Sequence, residues 1–575
     1  MLGCGAKGAA GRGWALSNAG ANRKIERNAN FFMGEVLQRY TSGRMRSRTN
    51  SSPHQLPPSC CRPRRGRTGV GDPGYIPVPP PLANRADFAS LRPVQAWFLQ
   101  VYHNVVDHPL NGLEAHLLTV VGFLLAFFAI ARLLSERRQP GNTFAWLLAI
   151  AFVPYVGVPL YLMLGGRKIR RLAARKARLS PLLPGVAPSP ACTNPTARVL
   201  TLNGACPPVG GNRVTMLTTG EQSFSEIEGR ILAAKHTIHI MTFILARDEV
   251  GKRLVTLLAK RASEGVKVRL LLDSLGSFVS SRGFCDPIRR AGGEVVRFMP
   301  VLPLQTRGSA NLRNHRKIAV FDHCVAAIGG RNVAREYMGA VPSKRRWRDF
   351  GAIIEGPAVS LLNEIFVADW AFAGGKPLPP GNTELPWDIP DAAGDSELQV
   401  VASGPDVAGD PLYEGILSFV QQAEQSVWIV TPYFIPDEVL FRSLLLKARA
   451  GIDVRIVVPA KSNHPVTDLA RRYFLRELRA AGAKILYYGP GMNHAKMLLV
   501  DESYGLFGSA NMDLRSLFVN FEVGVVSYSR NEAAAMARWM HEVFAQTKPM
   551  PEPRKHRRLV PAIGEEIARL LAPLL

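Results

Sequence analysis

Apolar positions fall along this chain in three regimes. From Met1 to about Leu91 they are sparse and aperiodic among Gly, Ser, Arg and Pro, with runs such as Arg62-Pro63-Arg64-Arg65 and Pro77-Val78-Pro79-Pro80-Pro81. So little apolar surface cannot offset the entropy of ordering, and residues 1–91 are expected to form a disordered basic tail. No apolar run follows Met1, so a cleaved secretory signal is not expected, and Met33 and Met45 are alternative starts. The second regime is two nearly unbroken apolar segments, 115–134 and 143–164, each with roughly the 20 residues that cross a bilayer core. Ser135 to Asn142 between them is a turn-rich loop, so the expectation is a transmembrane hairpin. Pro154 and Pro159 are tolerated in such helices. Arg132 can snorkel to the headgroups.

In the third regime, from about Val214, apolar runs of strand length alternate with runs of helical spacing. Thr237–Leu245 reads as a strand, Val250–Ser263 as a helix, Gly265–Asp273 as a strand and Ser360–Phe372 as a helix. The order then repeats, with a strand at Ser426–Thr431, a helix at Glu438–Ala450 and a strand at Gly451–Val458. Gly451 follows Gly265 by 186 residues and His494 follows His315 by 179. A near-constant offset marks duplicated lobes with loops of differing length. The predicted fold is therefore α/β: two lobes, 212–373 and 397–575, each a sheet covered by helices on both faces. A basic segment and Pro/Gly-rich linker occupies 165–211, and a second linker 374–396. Ile563–Leu575 reads as a terminal apolar helix, either packing on the domain or facing a membrane.

Charge narrows the class of partner. Lys and Arg number 71 against 45 Asp and Glu, a formal +26, which suits a polyanion: nucleic acid or an anionic membrane. The loop between the apolar segments holds Arg137 and Arg138, whereas Arg167, Lys168, Arg170, Arg171, Arg175, Lys176 and Arg178 crowd behind the second. The positive-inside rule then places both flanks, and the lobes, in the cytoplasm. The seven cysteines (4, 60, 61, 192, 206, 285 and 324) contain no C-x-x-C pair and no metal-ligand spacing. An odd, scattered set argues against a disulfide framework and suggests a reducing compartment.

The chemistry sits in one motif written twice. His315-Arg316-Lys317, Asp322 and Gly329-Gly330-Arg331-Asn332 form the first copy; His494-Ala495-Lys496, Asp501 and Gly508-Ser509-Ala510-Asn511 form the second. If these segments are strands, His and Lys two apart share a face, and a turn returns Asn332, or Ser509 and Asn511, beside the His. An imidazole, an ammonium and an amide suit a phosphodiester: Lys317, Lys496, Asn332, Ser509 and Asn511 would hold the non-bridging oxygens. One imidazole can attack phosphorus while the other protonates the departing oxygen, so both lobes must face one site. Each imidazole also needs an orienting acid. The candidates are Asp349, in Trp347-Arg348-Asp349, for His315 and Glu522, in Asn520-Phe521-Glu522, for His494. Asp322 and Asp501 stand at turns, where they would fix the loop by hydrogen bonds.

These residues are similar to those of the phospholipase D superfamily, and specifically of bacterial cardiolipin synthases. The resemblance rests on both motif copies, on Asn314, Trp347-Arg348-Asp349, Thr431-Pro432-Tyr433-Phe434-Ile435-Pro436-Asp437, Met512-Asp513-Leu514-Arg515-Ser516 and Asn520-Phe521-Glu522, and on Asn142-Thr143-Phe144-Ala145-Trp146 and Tyr161 to Gly165 in the hairpin. It covers about Ala115 to the carboxyl end. His323, where the family's turn commonly has Gly, is a small departure. The resemblance implies His315, Lys317, Asp322, His494, Lys496 and Asp501 as the catalytic set. It also implies phosphatidyl transfer between two phosphatidylglycerol molecules, giving cardiolipin and glycerol through a phosphatidyl-histidine, with no cofactor or metal. The expected partners are anionic phospholipid and the bacterial inner membrane, with no nucleic acid. The competing readings are lipid hydrolysis, another donor or acceptor alcohol, a nuclease and a non-catalytic membrane scaffold.

Overall fold

The computed structural model describes residues 112–135, scattered positions between 143 and 161, and residues 190–280, 283–299, 312–376, 378, 392–407, 409–552 and 565. The expectations for the 1–91 tail and the basic run after the second apolar segment lie outside these residues. So do those for the loop between the apolar segments and, apart from Glu565, the terminal helix.

The first lobe contributes β1 (Val209–Leu217), β2 (Thr237–Thr242), β3 (Lys267–Asp273), β4 (Glu294–Phe298), β5 (Ile318–Phe321), β6 (Val325–Gly329) and β7 (Gly351–Glu355). The second contributes β8 (Ser396–Ser403), β9 (Ser426–Val430), β10 (Phe434–Ile435), β11 (Asp453–Pro459), β12 (Lys484–Tyr488), β13 (Met497–Val500), β14 (Tyr504–Gly508), β15 (Met512–Asp513), β16 (Glu522–Ser527) and β17 (Thr547–Pro549). Spatial order in the first lobe is β1-β7-β6-β5-β2-β3-β4 and in the second β8-β16-β14-β13-β9-β11-β12, with β17 added outside. The duplication inferred from spacing is thus a duplication of topology.

Two separate sheets were expected, and here the structure differs. β1 and β8 pair antiparallel, Val209 opposite Leu398, so the lobes share one 15-stranded sheet. Pairing the two edges leaves neither exposed at the centre. Asn212 fixes the join: its side-chain amide donates to Val209 O at 2.8 Å and to Ser396 O at 3.1 Å. Its Oδ1 accepts from Ala358 N at the start of the helix Ala358–Phe372. The stretch read as a linker up to Gly211 holds instead a helix, Pro195–Leu202, capped by Asn194, and the start of β1. Its Pro and Gly residues serve as a helix first turn and a bulge, two uses that composition does not distinguish from a linker.

Helices cover both faces. On one, Phe366 and Trp370 of Ala358–Phe372 and Met536, Trp539 and Met540 of Arg530–Phe544 join residues of both lobes in one core. On the other face the lobes keep separate cores, under the helix Glu249–Ser263 in the first and under Pro411–Gln422 and Glu438–Arg449 in the second. Strands such as β2, buried at all six positions, read as unbroken apolar runs because both their faces are covered. Asp248 and Asp437 cap the equivalent helices Glu249–Ser263 and Glu438–Arg449 through their carboxylates.

Ahead of the lobes, the helix Gly112–Ser135 runs for 24 residues. Ala129 and Leu133 bury against Ile150, Val158 and Tyr161 of the second apolar segment, so the two pack together. Phe123, Phe127 and Phe128 remain 75%, 67% and 69% exposed. Side chains of the first helix are described over 120–131 and at 133, and among the described residues no helix is long and apolar enough to cross a membrane.

Candidate active site

Both H-x-K segments stop just short of a strand. β5 opens at Ile318 and β13 at Met497, one residue after each lysine. The strand placement expected for His and Lys is corrected accordingly, and the reason lies in where their backbone groups bond. His315 N donates to Phe521 O and Phe521 N donates to Arg313 O, both at 2.9 Å. His494 N donates to Arg348 O at 2.7 Å, and Arg348 N to Met492 O at 2.9 Å. Each histidine segment is therefore bridged to the other lobe, at the residue just before that lobe's acid.

This crossing reverses the expected pairing of acids. His315 Nδ1 lies 3.0 and 3.1 Å from the two oxygens of Glu522. His494 Nδ1 lies 2.7 Å from Asp349 Oδ2. The expectation joins Asp349 with His315 and Glu522 with His494, each acid with the histidine of its own copy. In space, β7 and β16 flank the central β1–β8 join, so Asp349, just before β7, and Glu522, the first residue of β16, reach the opposite lobe. Hydrogen bonding at Nδ1 fixes the ring and leaves Nε2 as the nitrogen that could serve in chemistry.

The surroundings set the protonation. Burial, helped by Lys317 and Lys496 and opposed by Glu522, brings the His315 imidazole down to about 4. Burial and Lys496 bring that of His494 down to about 3 against the pull of Asp349. Lys496 acts on His315 and Lys317 on His494, so both copies contribute to one electrostatic site. Burial also lowers Lys496 to about 8 and Lys317 well below its ordinary value. Burial alone would raise the Asp349 and Glu522 carboxyls. Lys496 and His494 hold the first below the usual carboxylate range, and His315 and Lys317 the second. The site thus sets two imidazoles of depressed proton affinity against two carboxylates.

Lys317 Nζ donates to His315 O at 2.5 Å, and Lys496 Nζ lies 3.1 Å from His494 Nε2. Asn332 is buried and accepts Ile244 N at 3.2 Å; Asn511 donates to Ser516 Oγ at 3.1 Å. Ser509 differs from its expected phosphate-binding place. Its hydroxyl donates to Glu522 Oε2 at 2.5 Å and accepts Val523 N at 3.0 Å. A hydroxyl so engaged braces the carboxylate. In the first copy Gly330 takes its place, where a Cβ would come within 2.3 Å of Asp349 Oδ1. Asp349 instead accepts its neighbour Phe350 N at 2.7 Å.

Asp322 and Asp501, entered with the catalytic set, lie at the far end of the hairpins. Asp322 accepts Lys235, His236 and Thr237 N, and Asp501 accepts Glu424, Gln425 and Ser426 N, at 2.7 to 2.9 Å. Both sit at positive φ, 49° and 51°, with His323 and Glu502 next in the same conformation. Their chemistry is loop closure, as the turn position indicated. Asp322→Ala and Asp501→Ala are each expected to cost about 1–3 kcal/mol of unfolding free energy. Turnover per folded molecule should stay near wild type, as denaturant melts alongside active-site-normalised rates would check.

Phe243 and Tyr337, which lie outside the motifs, and Trp347, Arg316 and Asn314, which lie within them, surround the histidines. Phe243 packs on the His315 ring at 5.2 Å, and Tyr337 and Trp347 of the first lobe pack on His494 at 5.0 and 5.4 Å. Arg316, at the variable position of the first H-x-K, is 1% exposed and pairs with Asp369 at 2.8 Å. It also donates to Glu522 O at 2.9 Å and Ser403 O at 3.1 Å, tying the first lobe to the second beside the acid. Asn314 donates to the same Asp369 at 2.9 Å. A charged residue where the second copy has Ala495 was the available sign. Arg316→Ala should destabilise the protein by about 3–5 kcal/mol by leaving Asp369 buried without its main partner. The Arg316→Ala/Asp369→Ala double variant should recover part of that loss in chemical denaturation.

Residues 227–370 and 416–545 match the family model described as cardiolipin synthase, phospholipase D-like domain. Residues 124–166 match one described as phospholipase D-nuclease N-terminal. A protein named cardiolipin synthase 1 from Bacillus anthracis is 35% identical over 80% of this chain and 92% of its own length. A cardiolipin synthase from Geobacillus kaustophilus (strain HTA426) is 34% identical over 76% of this chain and 90% of its own. A crystal structure of phosphatidylserine synthase from Haemophilus influenzae Rd KW20 aligns with a TM-score of 0.49 at 16% identity, over 66% of this chain and all of that one. The two matched segments contain the two histidines with their lysines and acids, and on that ground the chain belongs to the cardiolipin synthase family of phospholipase D-like proteins.

Proposed function

We propose that the protein transfers a phosphatidyl group from one phosphatidylglycerol to another at a membrane surface, giving cardiolipin and glycerol. The observation that carries this reading is the crossed pair of histidine–acid dyads, each with Nδ1 held by the opposite lobe. His315 Nε2 attacks phosphorus, the phosphorus–oxygen bond to glycerol breaks, and His494 gives that oxygen its proton. The glycerol hydroxyl of a second phosphatidylglycerol then returns a proton to His494 and attacks phosphorus, and the phosphorus–nitrogen bond breaks. One phosphodiester replaces another, so no nucleotide is consumed. Lys317, Lys496, Asn332 and Asn511 stabilise the charge that gathers on the non-bridging oxygens. A phosphodiester anion beside the imidazoles raises their proton affinity, which lets His494 hold the proton it gives to the leaving oxygen.

A membrane setting follows from the substrate, since a two-chain lipid hardly leaves the bilayer. The packed apolar segments with outward phenylalanines support anchoring as a hairpin. The basic residues 167–178 would add about 1 kcal/mol each against anionic headgroups. By the charge bias the lobes face the cytoplasm.

The test incubates purified full-length protein with phosphatidylglycerol vesicles and follows cardiolipin, phosphatidic acid and glycerol together. Cardiolipin and glycerol in equal amounts are expected. Phosphatidic acid without cardiolipin would mean a hydrolase, and neither product would mean a non-catalytic protein.

A further inference from the structure

The end of β3 carries an apolar knob for which the catalytic scheme has no use. Asp273 closes the strand, and the chain then turns through Leu275, Phe278 and Val279, which are 48%, 60% and 70% exposed. Three large apolar side chains turned to water within five residues mark an interaction surface rather than scattered exposure.

The knob is rigidly joined to the active site. Asp273 Oδ1 accepts Leu275 N and Gly276 N at 2.9 and 3.0 Å, while its Oδ2 accepts Asn314 N, next to His315, at 3.0 Å. Ser277 Oγ donates to Phe243 O at 2.9 Å, and the Phe243 ring packs on His315. Gly276 is obligatory at this contact, because a Cβ there would meet Phe243 O at 2.3 Å. Arg297 holds the turn from the other side, donating to Ser277 O at 3.2 Å and Ser280 O at 2.8 Å. Arg247 and Arg289 act with Arg297 on the Cys285 thiol, so three guanidinium groups lie around Cys285, one of them bonded to the turn itself.

The second lobe lacks the feature. After β11 its equivalent turn reads Ala460, Lys461, Ser462, Asn463, so the fold itself does not require an apolar tip here.

We propose that Leu275, Phe278 and Val279 insert into the interfacial layer of an anionic phospholipid bilayer and seat the His315 side of the site on its lipid substrate. Apolar side chains backed by arginines match that partner: the tip enters the acyl boundary while the guanidinium groups meet phosphates. Through Asp273 and Ser277 the depth of the tip sets the height of His315 above the headgroups. This inference rests on the proposed lipid substrate.

The experiment uses full-length protein reconstituted in vesicles containing phosphatidylglycerol. Phe278→Ser/Val279→Ser should lower cardiolipin formation from bilayer phosphatidylglycerol about tenfold. Turnover of a short-chain phosphatidylglycerol dissolved as monomers should change by less than about twofold, since no interface is needed for it. If both rates hold, or both fall alike, the tip is only a prop for Phe243 and the proposal is overturned. In a second readout, Phe278→Trp should be quenched by lipids brominated on the acyl chain beyond the quenching of the native tryptophans. No added quenching overturns the proposal as well. Should the wild type make no cardiolipin from either substrate, the proposed reaction fails, while bromolipid quenching still decides the membrane contact.

Discussion

Cardiolipin formation is expected to fall by about 10³-fold or more in both His315→Ala and His494→Ala, but the two variants should stall at different steps. With His315 absent no nucleophile meets phosphorus, so neither glycerol nor a protein adduct forms. With His494 absent the attack by His315 still has its lysines and its Glu522, and lacks only the proton for the leaving oxygen. Slow accumulation of a phosphatidyl adduct on His315 is therefore expected in His494→Ala. Acid-sensitive, base-stable label from headgroup-phosphate-labelled phosphatidylglycerol, mapped by peptide mass spectrometry, would report it. An adduct on His494 in His315→Ala would reverse the assigned roles.

Glu522→Gln and Asp349→Asn should each lower the rate by about 10²- to 10⁴-fold, because an amide no longer holds the imidazole in the tautomer that frees Nε2. The sharper expectation concerns partnership. His315 touches Glu522 at 3.0 Å across 207 residues of sequence, and His494 touches Asp349 at 2.7 Å across 145. In double-mutant cycles of unfolding free energy, His315 should couple to Glu522 and His494 to Asp349 by roughly 0.5–3 kcal/mol. His315 with Asp349, and His494 with Glu522, should be additive within about 0.5 kcal/mol. Coupling in the second set rather than the first would return the acids to their own lobes. Ser509 adds a control: Ser509→Ala removes one of the hydrogen bonds to Glu522 Oε2 and should weaken the His315 pair while leaving the His494 pair unchanged.

Much of this architecture was legible in the chain because it is written twice. The recurrence of Gly265–Leu272 in Gly451–Val458, and of one histidine motif in the other, pointed to a repeated α/β unit, and the structure repeats the strand order and sets each histidine against an acid. Contacts between copies left no such trace. Asp349 stands 34 residues after His315 and Glu522 stands 28 after His494, so proximity along the chain favours the pairing that the fold does not make. The joined sheet was hidden for the same reason, since β1 and β8 are each an ordinary edge until they meet. Ser509 illustrates a third limit. A hydroxyl beside a phosphate motif fits phosphate equally well on paper, and only the 2.5 Å contact with Glu522 assigns it to the acid.

The crossed dyads also bear on how such a chain can change. A duplicated gene usually leaves one copy free to drift while the other keeps the work. Here an acid lost from either half is expected to leave the histidine of the other without its partner, so the two halves would be held to account together and neither could become a spare. A single lobe of this kind would have to meet a second copy of itself before either histidine was oriented, which makes the fused chain the covalent record of an obligate pair.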